Sequence, residues 1–110
     1  MMLVLLAAGC GGEEHGLSSD VAERLAARSE SVAAEVEAGD PCAARTEAEA
    51  LQAEAIAAVN DGEIPSKLQE ELLGSVNALL AAIGCDPPVA DNDAAAAARR
   101  LAAVLREASS

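Results

Sequence analysis

Three cysteines, Cys10, Cys42 and Cys85, and a single histidine, His15, are the residues of this 110-residue chain best equipped for nucleophilic, redox or metal chemistry. A thiolate attacks, exchanges with disulfides or binds zinc, and an imidazole moves protons or completes a metal shell. Spacing decides which of these is open. Zinc modules and redox pairs place two cysteines within a single turn, as in Cys-x-x-Cys, whereas the three here stand far apart. His15 lies in Gly11-Gly12-Glu13-Glu14-His15-Gly16, a Gly-rich stretch that cannot preorganise a ligand set. It is read as a solvated tether residue, and no metal ligand is assigned.

The carboxylates carry no stronger signal. Asn60-Asp61-Gly62-Glu63 resembles a fragment of a calcium loop but lacks the alternating Asp/Asn ligands that such a loop uses. It reads as a helix stop and turn, and Asp91-Asn92-Asp93 reads as a cap. Catalysis would need a nucleophile beside a base, or a Gly-rich phosphate loop between strand and helix. His15 is the only histidine, and Gly11-Gly12 precedes no such unit. No catalytic residue and no cofactor are expected.

Ahead of Cys10 runs Met1-Met2-Leu3-Val4-Leu5-Leu6-Ala7-Ala8, uninterrupted and apolar. A bilayer-spanning helix needs about 20 residues, so this run is too short to cross; it matches the apolar core of a signal peptide, about 7–15 residues. Leu6-Ala7-Ala8-Gly9-Cys10 resembles a bacterial lipobox, the signal of the prolipoprotein family. The resemblance implies that Cys10 is alkylated with a diacylglyceryl group, residues 1–9 are removed, and the new amino group is acylated, commonly with a palmitate-like chain. Small residues at Ala8 and Gly9 let a protease reach the backbone, and two acyl chains on one cysteine anchor stably where one is marginal. No Lys or Arg precedes the run, where signal peptides carry one. Two readings follow: translation starts upstream of Met1, or the segment is not exported. Residues 10–17 then form the lipidated cysteine and its tether, and residues 18–110 the domain.

Four helical segments, about 19–38, 41–60, 66–83 and 93–108, account for that domain, with no strand-like alternation. The first has capping-box spacing at Asp20 and Glu23, an apolar face of Val21, Leu25, Val32 and Val36 with Ala22, Ser29 and Ala33 beside it, and Gly39 as its stop. The second opens on Asp40-Pro41 and carries a small-residue stripe of Ala44, Ala48, Leu51, Ala55 and Val59; its glutamates at 47, 49 and 54 read as a solvated face. The third opens on Ser66-Lys67-Leu68-Gln69 and presents Leu68, Leu72, Val76, Leu79, Leu80 and Ile83, with Gly84 closing it. The fourth has sizeable anchors only at Leu101, Val104 and Leu105, and is expected to be the least firmly docked. The fold expected is all-α: a small up-and-down bundle of three to four helices.

A lipidated Cys10 leaves Cys42 and Cys85 as one pair. Cys42 opens segment two, Cys85 follows segment three, and the turn between them is centred near Glu63. Two antiparallel helices of ~19 residues, rising ~1.5 Å per residue, return Cys85 beside Cys42. A disulfide joining helices two and three is the expectation, worth ~4 kcal/mol by loop closure. The alternative is a pair of buried free thiols.

Composition narrows the partners. The net charge is −12, from 19 acidic against 7 basic residues, and there are no aromatics. Nucleic-acid binding needs a basic stripe and stacking rings, so it is excluded. The function expected is that of a non-enzymatic interaction or structural module, held on the extracytoplasmic side of the cell membrane by Cys10, with an envelope protein as possible partner and small-residue faces around Ala43, Ala50 and Ala57 as contact surfaces. Two alternatives stay open: a carrier whose segment-three leucines line an apolar cleft, and a cytosolic helical adaptor with free thiols.

Overall fold

Two glycines reverse the chain where the sequence places its stops. In the computed structural model, which describes residues 17–109, Gly39 has φ 81° and Gly62 φ 77°, values that a residue without Cβ adopts freely. Gly39 ends α1 (Ser19–Glu37) and Gly62 ends α2 (Pro41–Asn60). At each end the glycine N–H and the next N–H turn back onto the helix: Gly39 to Val36 O and Asp40 to Glu35 O, Gly62 to Val59 O and Glu63 to Ala58 O. This double bond pattern is a Schellman motif, and it satisfies carbonyls that the helix end would orphan. Cys10, His15 and the lipobox-like segment lie outside the described residues.

α3 (Ser66–Ala82) and α4 (Ala94–Ala108) complete an up-and-down bundle, so the all-α expectation holds. Between them stands what the sequence reading missed, a hairpin of β1 (Ile83–Cys85) and β2 (Pro88–Ala90). The strands are antiparallel with Ile83 opposite Ala90, Gly84 opposite Val89 and Cys85 opposite Pro88. α3 thus ends at Ala82, before the expected Ile83, and Gly84 sits in a strand instead of acting as a helix stop. Three-residue strands broken by Asp86-Pro87 are too short for alternation to show.

The caps differ in detail too. Ser18, not Asp20, caps α1, its Oγ accepting from Val21 N–H at 3.3 Å. Asp40 caps α2 as expected, accepting from Ala43 N–H at 3.1 Å. At α3 no side chain caps the helix; Gln69 Nε2 donates to Ile64 O at 3.0 Å and fastens the preceding turn.

Among the described residues, 22 apolar residues are buried, and ten are alanines: 22, 26, 33, 44, 48, 55, 58, 94, 98 and 102. Leu25, Leu51, Leu72, Leu79 and Leu105 are the largest of the remaining side chains buried to 2% exposure or less, together with Leu17 and Ile83. Leu17, counted with the tether from sequence, is also in this core, and its N–H donates to Ala108 O at 3.2 Å. The expectation for the fourth helix is overturned. Among the described residues α4 makes the most extensive helix–helix contact, with α1, because Ala94, Ala98 and Ala102 let the backbones close around Leu101 and Leu105.

Ser29 lies in the middle of α1 with 0% exposure, and its Oγ has no hydrogen-bond partner. An unpaired buried hydroxyl costs about 1–3 kcal/mol, and alanine is the better helix former. Ser29→Ala is therefore expected to raise the unfolding free energy by about 1 kcal/mol, seen as a higher urea midpoint and Tm. An unchanged or lower midpoint would show the hydroxyl to be satisfied.

Candidate functional site

Cys42 occupies the second residue of α2, held there by the Asp40-Pro41 start, and Cys85 is the last residue of β1. Their Cα atoms are 4.6 Å apart and the sulfurs are bonded. The pair expected from parity and spacing forms, but the bond ties α2 to the first strand of the hairpin, not to helix three. Cys85 is exposed and Cys42 half-buried.

Two devices set the strand in place. Ile83, 1% exposed, plugs β1 into the core. Arg45, from α2, donates through Nη1 to Leu80 O at 2.7 Å and Ile83 O at 2.9 Å, and through Nε to Glu49 at 3.0 Å. The last carbonyls of α3 lack intrahelical partners, and a guanidinium is the natural group to satisfy them and the negative end of the helix dipole. Asp91 N–H closes the far side by donating to Ala82 O at 2.9 Å.

Between the hairpin, the α1–α2 turn and the start of α4 lies an open groove of about 750 Å³. Val36, Pro41, Pro88, Val89 and Ala90 give it an apolar wall, and the Glu37–Arg99 ion pair lines it as well. Val89 is 55% exposed, the most exposed large apolar side chain described. The cleft of the carrier alternative was placed elsewhere, on segment three. Leu72, Val76 and Leu79 there are buried core, and two crevices lie between α3 and α4, one of about 290 Å³ beside Leu68 and Ala108 and one of about 160 Å³ beside Leu101 and Val104. Of the small residues suggested as contact points, Ala57 is exposed, while Ala43 and Ala50 are half-buried.

The acidic positions are not merely solvated. Glu47 and Glu54 of α2 both receive Arg28 of α1, at 2.9 and 2.8 Å. Glu23 and Glu30 of α1 receive Arg106 of α4, at 2.8 and 2.5 Å, and Glu37 receives Arg99. Its hydrogen bonds to the Glu54 and Glu47 carboxylates push the Arg28 guanidinium still further up, and those to Glu23 and Glu30 do the same to Arg106. The Arg106 hydrogen bond holds the Glu23 carboxyl below the usual range against the opposing effect of desolvation, with a lesser contribution from the Arg106 charge. Asp61 belongs to a helix-ending turn and Asp93 makes no side-chain cap bond. Among the described residues no three His, Cys, Asp or Glu side chains converge to hold a metal ion.

Arg45→Met is expected to lower the urea midpoint by the equivalent of about 1–2 kcal/mol, because two carbonyls lose a charged donor. Glu49→Gln, which leaves the guanidinium on those carbonyls, should cost clearly less; equal losses would refute the assignment. For Glu23 the sign follows from a lowered carboxyl: its stabilising effect is present above the unfolded-chain value and fades as pH falls through the folded one. In an NMR acid titration the Glu23 midpoint should lie below the ordinary glutamate range and move back up in Arg106→Gln. Identical midpoints in the two proteins would count against the pair. The chain matches no family model, no curated protein and no solved structure.

Proposed function

We propose that this chain is a small bacterial lipoprotein: exported, cut before Cys10, anchored there by its acyl chains, and carrying residues 18–110 as a non-enzymatic interaction or structural module on the extracytoplasmic side. The observation that carries the reading is the Cys42–Cys85 bond. Disulfides form and persist in oxidising compartments outside the cytosol. Pairing these two also leaves Cys10 as the one remaining cysteine, at the end of Leu6-Ala7-Ala8-Gly9-Cys10.

The bundle gives this reading a geometry. The chain leaves the described domain at Leu17, beside Ala108, whereas the hairpin groove is bounded by Gly39 and Pro41 at the other end of α1. A helix of 19 residues separates the two ends, ~28 Å at ~1.5 Å per residue. On this reading the groove points away from the anchoring membrane, where an envelope protein could reach it. The negative net charge holds the domain as a whole off an anionic membrane surface.

The test is an intact mass of the protein from detergent-solubilised membranes of its native host, with and without reductant. The expected result is loss of residues 1–9, an added diacylglyceryl mass on Cys10, and a gain of two hydrogens on reduction. An unmodified full-length chain in the soluble fraction with free thiols would overturn the export reading and put a cytosolic adaptor in its place.

A further inference from the structure

The two sulfurs of the Cys42–Cys85 bond are not equivalent to a nucleophile arriving from water. Exchange is an in-line displacement, in which a thiolate approaches one sulfur from the side opposite the other. Cys85 is exposed, and so are Asp86, Pro87, Pro88 and Val89 of the hairpin tip that follows it. Cys42 is half-buried in the first turn of α2, with Pro41 and Ala43 half-buried beside it. The leaving group reinforces the asymmetry. Charge left on Cys42 would sit at the N–H end of a 20-residue helix, with Arg45 one turn further on. The Asp40 and Asp86 carboxylates oppose it, so exposure is the larger cause and the helix end the smaller.

We propose that Cys85 is a thiol-exchange site, and that the disulfide is a reducible clasp on the hairpin tip. The thiolate of a dithiol attacks Cys85 Sγ, the Cys42–Cys85 bond breaks, and Cys42 leaves as a thiolate that takes a proton from water. The second thiol of the reagent, once deprotonated, attacks the mixed disulfide, releasing Cys85 and leaving the reagent oxidised to its own disulfide. Two electrons pass from the dithiol to the protein. With Ile83 in the core, Arg45 on the Leu80 and Ile83 carbonyls, and Asp91 N–H on Ala82 O, the base of the hairpin stays seated. Reduction therefore frees Cys85 to Val89 and the apolar wall that Pro88 and Val89 give the groove, while the four helices stay packed. The strongly negative surface selects a neutral or cationic thiol over an anionic one.

The full chain carrying Cys10→Ser, so that only this pair reacts, is treated without denaturant with the neutral monothiol 2-mercaptoethanol, and free thiols are trapped with iodoacetamide. Peptide mass mapping should find the mercaptoethanol adduct on Cys85 and the alkyl group on Cys42, about tenfold over the reverse. Equal or reversed labelling, or reaction only in denaturant, would overturn the site. Hydrogen exchange on the dithiothreitol-reduced, alkylated chain tests the clasp. Amides of Gly84 and Val89 should lose protection while those of Leu25, Leu51 and Leu79 keep it. Loss across all four helices would show instead a staple on which the whole bundle depends.

Discussion

Alanine at ten of the 22 buried apolar positions among the described residues determines how near the helix backbones must come before their surfaces touch. A leucine-rich bundle fills a wide seam with side chains, whereas this one closes the seam until main chain and methyl groups meet. Each buried alanine removes little area from water and gives up no rotamer freedom, so stability comes from many small contacts and low entropy loss. Helix order follows from the same constraint. α1 and α4 both carry alanines and leucines along their buried faces and make the widest contact, and α2, whose only large buried side chain is Leu51, fits between α1 and α3. Such a seam tolerates shape errors poorly, because an added methylene has nowhere to go.

Close approach leaves orientation underdetermined, since alanine faces look alike. The arginines resolve this. Arg28 reaches from α1 to α2, and Arg99 and Arg106 reach from α4 to α1 at separate levels of the seam. Exposed pairs of this kind contribute little stability, roughly 0–1 kcal/mol each. Their effect is on choice: a helix slid by one turn or inverted would bring glutamate against glutamate. In a chain of net charge −12 a misplaced arginine leaves two carboxylates facing each other.

The features legible in the sequence were those written locally. Asp40-Pro41, Gly39 and Gly62 each impose a backbone conformation on their own neighbours, so the starts and stops of α1 and α2 could be read directly. Cys42 and Cys85 were legible as a pair because helix rise and a central turn fix where they meet. Some misses were local, as at the caps of α1 and α3, but the larger ones were non-local. Ile83 looked like one more apolar residue of a helical stripe, but Arg45, 38 residues away, holds its carbonyl and the core takes its side chain in an extended backbone. The arginine–glutamate pairs between helices had no signature, because spacing on one helix says nothing about which face another will present. The same limit hid the groove, whose wall comes from four separate elements. The fourth helix was underrated because its anchors were judged by side-chain size, when its alanines set the contact.

The bond from Leu17 N–H to Ala108 O places the start of α1 and the end of α4 together at one end of the bundle, with the hairpin at the other. Tension applied between those ends would run along the helix axes. It would load the α1–α4 and α1–α2 seams in shear, where many small contacts must slip at once, and would not peel one helix off at a time. A seam of closely set alanines, weak against a local void, is well suited to this direction of pull.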